Sequence, residues 1–501
     1  MDINIEDILN DSGPMLSSSV IQKLCESGVS KVAARQRVAR TAASVHRITH
    51  LQFPHRSRFL YLPGQYKKPI YWENLSHVLN ASPLYACSIN ALRVRGGMMP
   101  RYLFDLYSGS PVFPLKSHQV SETILERLLR AEVLTGYSDP SMGPFIAINE
   151  SIGDRSGFPE IRTRLLAESV LLAGIKQWIR NTGIASYQKV QIRDGNSLPN
   201  FGKFSWDLVA PSYVHPFRST LSKEIRPKPG FFVCDILLTK DLSIDHINFF
   251  LKKCNVLRIQ RNTRPFMSML LAEGYQRDAF AKGKAAGIIL TTPRILLGDQ
   301  VADCLRSLIE LLNRQATASG EAIHQLFSKL SKIEGAAQNL RGPLFELVVA
   351  RLVSVEHGGS LDISRRVIDP ASGDLVEIDV FLVCRGREVK AYECKGKEPG
   401  GVVSESEVEK WAKGHIPKVR SWISSQSRFS DYDLHFEFWT AGDFSPDAIN
   451  FLKSTKSRTK KYQIAWKNGS EVLAYAHQHH EKRICDLLRE QFIKHPLVTQ
   501  A

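Results

Sequence analysis

The chain has 501 residues, and at about 150 residues per domain it divides into roughly three or four domains. Hydrophobic residues at 43% and charged residues at 23% are the balance of a folded globular chain and exclude an extended disordered one. Lys and Arg number 66 against 50 Asp and Glu, a net charge of +16 that fits a polyanionic partner, either nucleic acid or an acidic membrane surface, and equally a basic surface with no dedicated partner.

Residues 1–15 read as a polar tail. Val20 to Glu26 makes a short helix broken at Gly28, and Ser30 is a good N-cap for a second helix reaching about Val45. On that helix Ala34, Val38, Ala42 and Val45 form an apolar stripe, with Arg37, Arg40 and Arg47 well away from it. Ile48 to Leu51 and Arg58 to Leu62 are the strands expected next. Two helices followed by a basic hairpin resemble a winged helix, spanning 16–80, whose wing includes His55, Arg56 and Arg58. A second stretch, 81–155, has the same order: a helix over Ser117 to Ala131, a strand after Glu132, another over Phe145 to Ile148, and a turn at Asp139, Pro140 and Gly143. The resemblance implies two α+β domains that contact DNA, with Arg37, Arg40, Arg47, Arg56 and Arg58 as the contacts. Winged helices also serve as protein-interaction modules.

Two longer α/β stretches follow, 156–320 and 321–501, and they share an order of features. Each opens with a helix holding one Glu among apolar residues, Glu168 and Glu346. Each then offers a strand with an Asp, Asp207 and Asp379, and an apolar strand with a second acid, Asp235 and Glu393. A helix and a further strand close each set, Gly287 to Thr291 in the first and His435 to Thr440 in the second. This order points to an internal duplication.

Leu375 to Cys384 and Glu388 to Gly396 are two apolar-rich runs joined by Arg385-Gly386-Arg387, a three-residue hairpin connection. Pairing Cys384 with Glu388 places Asp379 opposite Glu393, with Lys395 two residues further along. Opposed carboxylates repel across a strand pair, and a bound divalent cation would relieve them. Hard oxygen ligands favour Mg2+ or Mn2+, which keep positions for water and phosphate oxygen. Lys395 can orient or deprotonate the attacking water, or offset charge developing on the phosphate. Glu346, flanked by Leu344, Phe345, Leu347 and Val348, needs a partner if it is buried, from a metal, its hydration shell or Lys395.

Gly342-Pro343-Leu344-Phe345-Glu346, Glu377-Ile378-Asp379 and Glu393-Cys394-Lys395 resemble the PD-(D/E)XK, or restriction-endonuclease-like, superfamily. The resemblance covers about 335–445 in full and 160–310 in degraded form, where Leu237 stands in place of the lysine. It implies a mixed central sheet flanked by helices in 321–501, a degenerate copy of it in 156–320, and a multidomain α/β chain overall. It also implies that Asp379, Glu393 and the backbone carbonyl of Cys394 bind metal, that Glu346 assists from its helix, and that Lys395 handles the water.

Ser404 with Glu407 is a capping-box pattern, opening a helix that carries Lys413, a candidate phosphate contact; Lys453 to Lys461 reads as a basic loop. Eight scattered cysteines with no CxxC pair, an acidic N-terminus and no long apolar run point to a reduced, cytoplasmic protein outside the membrane. The expected activity is a Mg2+- or Mn2+-dependent endonuclease cutting double-stranded DNA, in restriction or antiviral defence by analogy with the superfamily. Two alternatives stand beside it: a non-catalytic DNA-binding regulator, and a DNA or RNA nuclease subunit active only with a partner. A homodimer is left open.

Overall fold

Ile5, Ile8 and Leu9 recur at helical spacing, and in the computed structural model they form the buried face of α1 (Ile5–Ser12), whose first N–H is capped by the Asn4 side chain. The structure describes residues 4–41, 43–139, 143–186, 188–194, 197–214, 228–313, 319–330 and 336–493. α1 replaces the expected polar tail: so short a helix is held by tertiary packing, here against Val20, Leu24, Ala34 and Val38 in one small core.

After α1 come β1 (Met15–Leu16), α2 (Ser17–Glu26), α3 (Lys31–Ala39), β2 (His46–Arg47) and β3 (Phe59–Tyr61), with β3 lying between β1 and β2. Ser30 caps α3 by accepting the Ala33 N–H. α3 ends at Ala39 rather than near Val45, and the strand expected at Ile48 to Leu51 falls instead on His46–Arg47. Ala42 lies outside the described residues. Next are α4 (Pro69–Ala81), α5 (Ala86–Val94), β4 (Met98–Pro100), α6 (Leu103–Tyr107), α7 (Ser121–Arg130), β5 (Leu134–Asp139) and β6 (Gly143–Ile148), in a sheet ordered β4-β6-β5. From α5 onward this repeats the order of elements and of strands seen from α1 to β3. Pro140 lies outside the described residues.

Then follow α8 (Phe158–Thr182), β7 (Gln191–Ile192), β8 (Asn200–Phe201), β9 (Phe204–Ser205), β10 (Leu208–Ser212), β11 (Gly230–Ile236), α9 (Ile244–Ile259), β12 (Phe266–Leu271), α10 (Arg277–Ala285) and β13 (Ile289–Thr291). The last part of the chain holds α11 (Pro293–Leu297), α12 (Asp299–Asn313), α13 (Gly320–Leu330), α14 (Ala336–His357), β14 (Ser360–Ile368), β15 (Leu375–Val383), β16 (Glu388–Lys395), β17 (Val402–Val403) and α15 (Glu405–Glu409). A π-helical segment Lys410–His415 leads into α16 (Ile416–Ser425), β18 (Asp433–Thr440), β19 (Asp443–Phe444), α17 (Pro446–Arg458), β20 (Gln463–Lys467), α18 (Gly469–Gln478) and α19 (Lys482–Leu488). The expected basic loop over Lys453 to Lys461 is mostly the C-terminal half of α17.

Two compact units result. The first takes Met1–Tyr137, Pro144–Gly157 and Ile179–Thr292; the second takes Ser138–Gly143, Phe158–Trp178 and Pro293–Ala501. The division therefore departs from boundaries at 155 and 320. Each unit holds a five-stranded mixed sheet. In the first, β7, β10 and β11 are antiparallel neighbours, and β12 and β13 continue in parallel. In the second, β14, β15 and β16 are antiparallel neighbours, and β18 and β20 continue in parallel. The two sheets share one topology, which matches β10 with β15, β11 with β16 and β12 with β18. The strand equivalent to His435–Thr440 is thus β12, one strand earlier than the Gly287 to Thr291 run.

In the second unit α14 lies against β14, β15 and β16, and α16 lies against β14 and β15. Trp411, Ile416, Val419 and Trp422 pack with Ile378, Phe381 and Ala391 in the core beside the sheet. A Cβ at Gly396 would meet the Arg341 carbonyl oxygen at 2.3 Å, so glycine lets the end of β16 pass against α14. Just beyond, the Glu407 carboxylate accepts the Ser404 N–H at 3.0 Å and takes Lys397 Nζ at 2.8 Å, which ties the start of α15 to the strand end. Ser404→Ala is expected to lower the unfolding free energy by about 1 kcal/mol, read from urea denaturation.

Candidate active site

The hairpin between β15 and β16 closes as its sequence dictates. Cys384 N–H donates to the Glu388 carbonyl at 2.9 Å, and Arg387, not Gly386, takes the left-handed position at φ 61°. The pairs run from Val383↔Val389 to Val380↔Tyr392, the register expected from the sequence. One step further Asp379 stands across from Glu393, where the regular ladder stops. Asp379 Oδ2 instead accepts the N–H of Cys394 at 2.8 Å. On the other edge of β15, the pairs Ile363↔Val380 and Arg365↔Ile378 bracket Ser364 and Asp379, which do not pair. Ser364 sits there at φ 53°, a conformation a β-carbon disfavours, held by its hydroxyl bond to Glu346 Oε2 at 3.2 Å.

Charge is concentrated around this gap. Burial, then the neighbouring Glu393 and Glu346, pushes the Asp379 carboxyl well above the usual carboxylate range. Lys395 Nζ donates to Glu393 Oε1 at 2.7 Å. Burial alone would lower the Lys395 pKa, but Glu393 and Asp379 hold it above its ordinary value. Glu346 is buried and its carboxyl is raised by that burial, against the opposing pull of Arg162, whose Nη2 donates to Oε1 at 2.8 Å. Arg162 also engages Glu377 and the Ser364 hydroxyl, and Arg366 holds the other Glu377 oxygen at 3.3 Å. His415 Nε2 lies 2.5 Å from the Glu377 carbonyl, and its Nδ1 lies 3.6 Å from Glu393 Oε2.

Removing one of the opposed carboxylates relieves their repulsion, and the Asn oxygen can still accept the Cys394 N–H. Asp379→Asn is therefore expected to stabilise the metal-free protein by about 1 kcal/mol, a rise of roughly 2–4 °C in Tm measured in EDTA.

The structure brings Glu346, Asp379, Glu393 and Lys395 into one site. Glu346 takes Arg162 and Ser364 as partners, two residues that the sequence did not offer it. Arg162, Ser364, Glu377 and His415 were not singled out from sequence. Arg162 lies 184 residues before Glu346, and no local pattern links them. Among the described residues no group of three or more His, Cys, Asp or Glu side chains is arranged to hold a metal ion. Asp379, Glu393 and the Cys394 carbonyl nonetheless fit Mg2+, which takes one or two carboxylates and otherwise keeps water and phosphate oxygens.

The first unit carries the related set in a sealed form. Asp207 Oδ2 accepts the N–H of Ile236 at 2.8 Å, the same bond that Asp379 makes with Cys394. Asp235 stands where Glu393 stands, but the cation comes from α9. Lys253 Nζ lies 2.5 Å from Asp235 Oδ2 and 2.8 Å from the Ser205 carbonyl, over the Trp206 ring. Arg193 Nη1 lies 3.1 Å from Asp207. Asp207, Asp235 and Lys253 are each 0% exposed, which leaves a phosphate no access to them. Burial, opposed by Lys253, pushes the Asp235 carboxyl up to about 7. Glu168 lies on the stretch of α8 that belongs to the second unit.

Of the expected nucleic-acid contacts, Arg37, Arg40, Arg47 and Arg56 are exposed. Arg58 is half-buried and spans the Thr49 and Leu51 carbonyls at 3.2 Å, so it staples the connection between β2 and β3. Lys413 is exposed and pairs with Glu409 one turn earlier. Among the described residues no helix is long and apolar enough to cross a membrane.

No family model matches the chain, and no curated protein matches it. Among solved structures, the chain is similar to the restriction endonuclease FokI at 10% identity, over 93% of this chain and 83% of that one, with a TM-score of 0.22. It is similar to FokI bound to DNA at 11% identity, over 92% and 81% of the two chains, with a TM-score of 0.21.

Proposed function

We propose that the chain is a metal-dependent endonuclease that hydrolyses DNA phosphodiester bonds in its second unit, a restriction-endonuclease-like domain. The observation that carries this reading is the Asp379–Glu393 pair facing across the end of β15 and β16, with Lys395 on Glu393. The sealed first unit keeps an opposed acid pair as structure; what sets this pair apart is that Lys395 and Glu393 stay partly exposed, so water and a phosphate can reach them. Asp379, Glu393 and the Cys394 carbonyl would hold Mg2+ or Mn2+. The ion, when bound, supplies Lewis acidity to the phosphate and a more acidic water. Asp379 is fixed by the Cys394 N–H, so it needs little reorganisation to ligate. Lys395 places its ammonium where water and phosphate oxygen would meet the carboxylates. Arg162 and Ser364 hold Glu346, which acts by fixing α14 against the site.

The first unit would bind double-stranded DNA through two winged helices, an assignment that rests on the repeated order helix, strand, helix, helix, strand, strand. Arg37, Arg40, Arg47 and Arg56 are the contacts on the first of these. Its sealed Asp207–Asp235–Lys253 network serves as a scaffold. A role in restriction or defence against foreign DNA extends this reading. A second reading, a nuclease active only with a partner, draws on Arg162, whose guanidinium already engages Glu346 and Glu377.

The test is incubation of plasmid DNA, a linear duplex and single-stranded RNA with Mg2+, Mn2+ or EDTA. Metal-dependent cutting of plasmid and duplex is expected. RNA cutting alone would overturn the DNA assignment, and salt-sensitive DNA binding with no cutting would favour the partner-dependent subunit.

A further inference from the structure

His415 ends the π-helical segment Lys410–His415, and α16 starts directly after it with Pro417 in its first turn. A π turn widens a helix at some cost in stability and is found most often where a side chain must be aimed. Here it aims the imidazole at Glu393. The Nε2 contact, 2.5 Å from the Glu377 carbonyl, requires an N–H at that nitrogen, since a carbonyl only accepts. In the neutral ring Nδ1 then carries a lone pair, and it faces Glu393 Oε2 at 3.6 Å. The other oxygen of Glu393 is taken by Lys395. Two acceptors facing each other at that distance are reconciled in one of two ways, by a proton on Nδ1 or by a metal ion held between them.

The duplicated sheet gives an independent reason to look here. In the first unit the crossover between β11 and β12 is α9, and it delivers Lys253 onto Asp235. In the second unit the crossover between β16 and β18 delivers His415 onto Glu393. The same crossover completes the second acid in both copies. It supplies a permanent cation where the site is sealed, and a group able to ligate where the site is half-open.

We propose that His415 Nδ1 shares the divalent cation with Glu393, so that the centre is mixed imidazole and carboxylate and takes Mn2+ in preference to Mg2+. This rests on the nuclease reading and deepens it. Two donors bound to one ion by bonds of about 2.1 Å sit about 3.0–3.5 Å apart, close to the gap observed. Imidazole nitrogen favours the later, softer divalent ions over Mg2+, whereas a site of oxygen ligands alone does not discriminate in this way.

The experiment loads the full chain with Mn2+ alone and reads electron spin echo modulation from nitrogen-14 on the metal, together with Mn2+ and Mg2+ affinities. Native protein is expected to show a directly bound imidazole nitrogen. His415→Gln and His415→Asn, each checked for native folding, are expected to lose that signal and to weaken Mn2+ binding by about 10–100-fold, with a smaller loss for Mg2+. Mn2+ bound by native protein with no nitrogen coupling would overturn the proposal and leave the nuclease reading intact; His415 would then be an imidazolium paired with Glu393. Absence of any Mn2+ binding, with no metal-dependent cutting, would overturn both.

Discussion

Lys395→Ala is expected to lower the single-turnover rate of DNA cleavage by about 10²–10⁴-fold while metal binding changes far less. The neighbouring Glu393 and Asp379 hold the Lys395 ammonium above its ordinary pKa, so in the metal-free site it is a donor. That favours orienting the attacking water or offsetting phosphate charge over removing a proton. Lys395→Arg should then recover part of the rate, and a neutral Lys395→Gln should not. Equal rates for the Ala and Arg variants would show that charge at this position is not what Lys395 contributes. A Lys395→Ala variant that cuts at the native rate would remove the residue from the mechanism.

Lys253→Met is expected to cost about 3–5 kcal/mol of unfolding free energy, because it leaves Asp235 buried beside Asp207 without its cation. Adding Asp235→Leu to that variant should restore much of the loss, since an apolar pair of similar volume can replace a buried ion pair. The pH dependence has a definite sign. With Lys253 present the Asp235 carboxyl is already pushed up to about 7, and removing Lys253 removes a lowering influence. The folded pKa then exceeds the unfolded value of about 4 across the whole interval. The stability this group contributes is present below the unfolded pKa and is lost as pH rises through the folded one. The single variant should therefore lose stability from about pH 4 toward and past 7. Urea denaturation across that range measures it, and a flat profile would contradict the buried-pair account.

The site's strands were readable because hairpins are local. Three residues between Cys384 and Glu388 set the register, and that register alone puts Asp379 across from Glu393. The Ser404–Glu407 capping pattern was readable for the same reason. What the sequence hid lies at long range. Arg162 reaches Glu346 from a helix 184 residues away, and His415 reaches Glu393 through a π turn that helical periodicity does not announce. Lys253 was hidden because a lysine was sought two residues after Asp235 on the same strand, whereas the fold supplies it from the following helix. α1 was missed because Ile5, Ile8 and Leu9 make too short an apolar face to stand alone; its partners come from α2 and α3. The duplication was visible in the order of acids, but its strand correspondence was displaced by one until the sheet order fixed it.

The most direct measurement is cleavage of supercoiled plasmid by native protein and by Asp379→Ala, side by side in Mn2+ and in EDTA. The account predicts nicked and linear products from native protein in Mn2+ only, and none from the variant in either. Metal-dependent cutting that survives Asp379→Ala would contradict it, because the phosphodiester chemistry would then lie outside the end of β15 and β16.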